Sequence, residues 1–156
     1  MSVSVGEADF DVGAEIAALA TASGDAGAVA SFVGLVRRDK SAGGIQAMTL
    51  EHYPGMTEKA LAEIVAEARR RWPLLAVRVI HRVGRLLPGD RIVLVAVSSS
   101  HRQAAFAASE FIMDYLKTRA PFWKREETAT GNHWVDARES DDQALRRWSE
   151  ENRKQP

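Results

Sequence analysis

The sequence contains no cysteine, which excludes disulfides, thiolate metal sites and cysteine nucleophiles together and leaves the redox compartment unread. It also lacks long apolar runs: no stretch approaches the roughly 20 residues that a spanning helix needs. The opening MSVSVGEADFDVGAEIAALA has no basic start, and Glu7, Asp9, Asp11 and Glu15 interrupt it, so it does not read as a signal peptide. A cytoplasmic protein is the expectation. Net charge is absent too. Twenty-one Lys and Arg balance twenty-one Asp and Glu, which removes any general attraction to nucleic acid or membrane, so a basic site must be local. There is no Walker loop, GxGxxG or HExxH, and His52, His81 and His133 fall without metal-ligand spacing. No metal and no cofactor is expected.

What remains is an ordinary globular chain of 156 residues, 46% hydrophobic and 27% charged, long enough for one core and undivided by repeats or linkers. A single domain spanning residues 1–156 follows. GAVASFVGLV and IQAMTLEHY read as strands on either side of a glycine-containing loop, RRDKSAGG at 37–44. Leu61, Ile64, Val65, Ala68 and Trp72 recur at helical spacing, with Thr57 placed to cap, Met56 and Leu61 placed as a hydrophobic staple, and Pro73 as a stop. LAVRVIHRVGRL and RIVLVAVSSS flank the turn LPGD as a strand pair. A Ser-x-x-Gln box at Ser100 opens a helix to about Thr118, PFWKREET and GNHWVDA read as strands, and a box at Ser140 and Gln143 opens a last helix with Leu145 and Trp148 on one side. The fold class is α+β, with a mixed, mostly antiparallel sheet.

Three places carry chemistry. In DYLKTRAPFWKREE, Lys117 ends a helix and Lys124 lies on the next strand, facing as Phe122 and Glu126 do. A reversal at Pro121 can bring the two lysines together, where mutual repulsion and desolvation by Phe122 would favour a neutral amine, hence a base or nucleophile. The plainer alternative is a lysine complementing a helix end and a solvated strand residue. His101 and Arg102 stand in the first turn of the same helix, where free N–H groups suit a phosphate, or where both are simply solvated. Arg37 opens the glycine-containing loop and can close over an anion or remain a surface arginine.

The segments FVGLVR, LEHYPGMTEKALAEI, HRVGRLLPGD, SSSHRQAAF and FIMDYLKTRAPFWKRE closely resemble the catalytic, large subunit of molybdopterin synthase, over about residues 27–138 in unbroken order. The resemblance implies an α/β hammerhead-type fold and a homodimer at the centre of a heterotetramer. The implied partner is a small ubiquitin-like carrier with a C-terminal Gly-Gly thiocarboxylate. The implied reaction passes two sulfurs to cyclic pyranopterin monophosphate, forming the molybdopterin dithiolene. By position it implies Lys117 and Lys124 as the catalytic pair, and Arg37, His101, Arg102, Phe32, Met113 and Arg138 as substrate-binding residues. From the residues alone, the competing reading is a non-catalytic module that binds a nucleotide or RNA end in a local basic pocket; a Schiff-base lyase using Lys117 is a third.

Overall fold

The computed structural model describes residues 2–38, 44–135 and the backbone of 139–154, with the side chains of 142–149. In chain order the elements are β1 (Val3–Gly6), α1 (Val12–Thr21), β2 (Ala28–Leu35), β3 (Ile45–His52), α2 (Met56–Arg71), β4 (Leu74–Arg82), β5 (Gly84–Leu86), β6 (Arg91–Ser99), α3 (Arg102–Arg119), β7 (Phe122–Thr128), β8 (Gly131–Val135) and α4 (Glu139–Lys154). The α+β class holds, but the strands divide into two four-stranded sheets, ordered β1-β4-β6-β2 and β5-β3-β7-β8. Among the described residues only β1 and β4 pair in parallel; the other pairs are antiparallel.

β6 explains the first sheet. Its sequence RIVLVAVSS is apolar almost throughout because both faces are covered. Val93, Val95 and Val97 point, with Val77 and Val79 of β4, toward α2, α3 and Trp148 of α4, while Leu94 and Ala96 point with Ile80 toward Leu19 of α1 and Phe10. Within the larger cluster Trp72, Phe111 and Trp148 meet edge to face at 5.3–5.6 Å, a geometry that places ring edges on ring faces. Phe111 and Leu61 are fully buried; each such side chain contributes about 1.5–3 kcal/mol by leaving water. The second sheet has a smaller core of Val36, Met48, Leu50 and Leu86.

Sequence neighbours part company here. β2 and β3, on either side of the glycine-containing loop, belong to different sheets; β2 pairs with β6 and β3 with β5 and β7. Residues 39–43 of that loop lie outside the described residues. β4 and β6 pair as expected, but the three residues of β5 leave between them to join the other sheet.

Two helix starts differ from expectation. Thr57 does not cap α2; the N-cap is Gly55, and Thr57 sits inside the first turn, fully buried. Met56 is half exposed, so the staple does not form. Ser100 does not cap α3 either: the N-cap is His101, without a side-chain cap bond. The reason is that Gly27 N–H donates to the Ser99 carbonyl at 3.0 Å, extending the β2–β6 ladder to the end of β6. A Cβ at Gly27 would lie 2.1 Å from the Ser100 carbonyl oxygen, so only glycine permits this approach. The last helix begins at Glu139, and the Ser140 side chain lies outside the described residues.

Candidate active site

α3 leaves the end of β6 and packs back along β6 and β2. Its C-terminal turn therefore returns to the Arg91 end of the first sheet. The helix stops at Arg119 because Ala120, ahead of Pro121, is extended (φ −84°, ψ 134°), as the proline ring requires of its predecessor. The reversal is pinned from a distance. Thr57 Oγ1 donates to the Pro121 carbonyl at 3.1 Å and accepts from Tyr53 N–H at 3.0 Å, tying the step to the start of α2.

Past the proline, strand alternation puts Phe122, Lys124 and Glu126 on the inner face of β7, opposite His52, Leu50 and Met48 of β3. Trp123 and Arg125 take the outer face, where Arg125 lies over the Trp134 ring at 5.9 Å. Arg119 lies over Tyr115 at the same distance. Two of the four cations around this step, Arg119 and Arg125, thus rest on aromatic rings. Lys117 is exposed and Lys124 is half-buried among its neighbours.

The desolvated group at this step is a histidine, which the sequence reading considered only as a metal ligand. His81 continues the inward row of Val77 and Val79 on β4 and is buried. Its ring stacks on Phe122 with centroids 3.9 Å apart and planes 20° from parallel. Its Nδ1 lies 2.8 Å from the Arg82 carbonyl, which places the proton on that nitrogen in the neutral ring. Burial pushes its pKa down from 6.5 to about 4; the Arg82 carbonyl opposes this, and the charges of Lys117 and His52 push it lower. His52 in turn faces Glu58 at 3.8 Å, and Glu58 accepts from Gly55 N–H. The missed signal was a titratable residue in an otherwise apolar period-two row.

The other expected site residues separate. Arg37 follows Val36, whose N–H donates to the Asp90 carbonyl at 2.9 Å, so it emerges at the same end of the first sheet as Lys117. Met113 is buried one turn before Lys117, and Phe32, 42% exposed on the edge strand β2, sits opposite Val95 on the helix-covered face. His101 and Arg102 are exposed at the far end of α3; sixteen positions at about 1.5 Å each put His101 about 24 Å along the axis from Lys117. Arg138 lies outside the described residues. Two open grooves, one lined by Ser2, Val3, Glu58 and Arg69 and the other by Ser4, Glu15, Leu19 and Arg78, include neither lysine.

A two-sheet α+β domain with a lysine pair flanking a helix–proline–strand reversal defines a class of protein that known relatives identify. The family model described as MoaE protein matches residues 5–119. The molybdopterin synthase catalytic subunit of Ralstonia nicotianae is 63% identical over 147 residues, 94% of this chain and 84% of that protein. The solved structure of a molybdopterin biosynthesis MoaE protein from Burkholderia ambifaria superposes with a TM-score of 0.82 at 57% identity, covering 95% of this chain and 97% of that one. A chain in the Helicobacter pylori complex of subunits 1 and 2 of molybdopterin-converting factor shares the fold, with a TM-score of 0.73 at 20% identity over 88% of this chain and 92% of its own. The chain belongs to the MoaE family, the catalytic subunits of molybdopterin synthase, which are sulfur-transferring enzymes of molybdenum cofactor biosynthesis. The family match begins at residue 5, within β1, so α1 belongs to it as well.

Proposed function

We propose that this chain takes sulfur from the thiocarboxylated C-terminus of a small ubiquitin-like carrier and delivers it, twice, to cyclic pyranopterin monophosphate, forming the molybdopterin dithiolene. The observation that supports this site is the reversal at Pro121, with Lys117 near His81 at the end of α3, the His81–Phe122 stack at the step, and Lys124 two residues further along the same face of β7. Lys117 is the leading catalytic group. An exposed lysine in the last turn of a helix reaches a carrier tail arriving from solvent, either to move a proton or to accept the tail's acyl carbon as an amide while sulfur passes to the pterin. Lys124, half-buried on the inner face of β7, supports its charge state and the developing anion.

Arg37, His101 and Arg102 hold the phosphate and pterin edge, with Phe32 and Met113 as apolar walls and Arg138 as a further cation. The 24 Å between the two ends of α3 bars His101 and Arg102 from serving the Lys117 of their own chain. We therefore assign them to the pocket of a second copy in a homodimer. Support comes from the exposed edge strand β2, which carries Phe32 and Leu35, and from Phe106, 66% exposed one turn beyond Arg102. The H. pylori complex supports a separate small subunit as partner, giving a heterotetramer. No helix among the described residues is long and apolar enough to cross a membrane, which accords with work in the cytoplasm.

The test is reconstitution. Purified chain, thiocarboxylated carrier and cyclic pyranopterin monophosphate should yield the dithiolene product. Absence of product, where a known synthase succeeds under the same conditions, overturns the assignment. A carrier–Lys117 amide found by mass spectrometry selects acyl acceptance; product formed without it selects proton transfer.

A further inference from the structure

We infer that His81 is a positioning residue for sulfur transfer: its flat, neutral ring sets the place of Phe122, and through it the alignment of Lys117 with Lys124. The inference rests on the proposed reaction for its kinetic readout, but it stands on geometry. His81 lies on β4 of the first sheet and Phe122 on β7 of the second, so their stack joins the two sheets at the step between the lysines. Both chain paths change layer there: β4 gives way to β5 of the other sheet just after His81, and α3 gives way to β7 just before Phe122. Phe122 has its own neighbours fixed, pairing with His52 and following the Pro121 carbonyl held by Thr57. Its ring height is what His81 adds.

The residue must also be uncharged to do this. Lys117 faces it from α3, His52 from β3 with Glu58 of α2 behind, Lys124 lies two residues beyond Phe122, and Arg82 follows on its own strand; β1 and β6 place only Val5 and Val93 beside it. A second cation among Lys117 and His52 would repel them and abandon the stack. Phenylalanine preserves face and neutrality, whereas leucine preserves volume and burial without a face.

The test compares His81→Phe with His81→Leu, with activities normalised to the folded fraction. At pH 8 the Phe variant should keep kcat within about threefold, whereas the Leu variant should lose about 10- to 100-fold in kcat with little change in the carrier's KM. As pH falls toward 4, the ratio of Phe-variant to wild-type kcat should rise to about twice its value at pH 8, since about half of the wild-type His81 is then protonated. A Leu variant with wild-type kcat, or a flat ratio, overturns the inference. Independently of turnover, the NMR resonance of ¹³C-methylated Lys117, assigned with Lys117→Arg, should keep its wild-type position in the Phe variant and move from it in the Leu variant. Identical Lys117 spectra for Leu variant and wild type overturn the inference even if no sulfur is transferred, while a silent wild type that shows these spectral differences overturns only the proposed reaction.

Discussion

The two ends of α3 are built in opposite ways. Its C-terminal end is embedded: Thr57 holds the Pro121 carbonyl, His81 backs Phe122, and Met113 and Leu116 are buried just ahead of Lys117. Its N-terminal end is bare: His101 caps without a side-chain bond, and His101, Arg102 and Gln103 are all exposed. The segment ahead of it is fixed, by Gly27 against Ser99 and Ser100 and by the Ser99 hydroxyl donating to the Pro73 carbonyl at 2.9 Å. The difference teaches that one helix can hold one end fixed and leave the other open, which under the proposed function is a preorganised reacting end and an anchoring end that serves a second copy. Preorganisation is expected where charge develops in a transition state, and exposure is expected of groups that meet a ligand in another subunit's pocket.

The largest effect should come from removing the reacting group. Lys117→Ala is expected to lower kcat by about 10²–10⁴ with the carrier's KM nearly unchanged, the range seen for loss of an acid, base or nucleophile. Steady-state dithiolene formation measures it. At the other end, Arg102→Ala should act on binding, raising the KM for the pterin by about 10- to 100-fold through loss of a charge-assisted contact of about 1.5–3 kcal/mol. If instead Lys117→Ala changed only KM and Arg102→Ala only kcat, the contrast between the ends would be inverted.

Thr57→Val tests how the reacting end is held. The substitution keeps the shape but leaves the Pro121 carbonyl and Tyr53 N–H without their hydroxyl partner, so stability should fall by about 0.5–1.5 kcal/mol in urea unfolding and kcat should drop severalfold. A separate effect is the pH dependence of stability. His81 takes up a proton in the unfolded chain near 6.5 but in the folded chain only at about 4, so between those values the unfolded chain binds more protons. Stability is therefore lost as pH falls from about 6.5 toward about 4, by up to about 3 kcal/mol. His81→Phe should flatten that part of the curve, and an unchanged slope would place the titrating group elsewhere.

How much of this was legible in the sequence depended on the range of the interaction. The end of α3, the break at Pro121 and the alternation of β7 are local consequences of proline geometry and strand period, and they stand as read from residues 114–127. Strand partnership is not local. Nothing between β2 and β3 shows that they enter different sheets, because the pairing is decided by β6 and β7, far along the chain. Capping failed for the same reason: Ser100 and Thr57 have suitable hydroxyls, but the ladder at Gly27 claimed the backbone beside the first, and Pro121, 64 residues away, claimed the second. His81 was legible, as an ionisable residue in the row Val77, Val79, His81, but metal spacing was the wrong question to put to it. The separation of His101 from Lys117 was legible too, since helix rise alone gives the distance once one helix spans both.

The central claim is that each working pocket joins the embedded end of one α3 to the bare end of another. Lys117→Ala and Arg102→Ala chains, each weakened alone, can be unfolded together, refolded as a mixture and assayed with carrier and pterin. Random pairing makes half of the dimers mixed, and each mixed dimer has one pocket with both residues intact, so activity should recover to about a quarter of wild type. Activity no greater than the average of the two separate variants would contradict the account and place both residues in the pocket of a single chain.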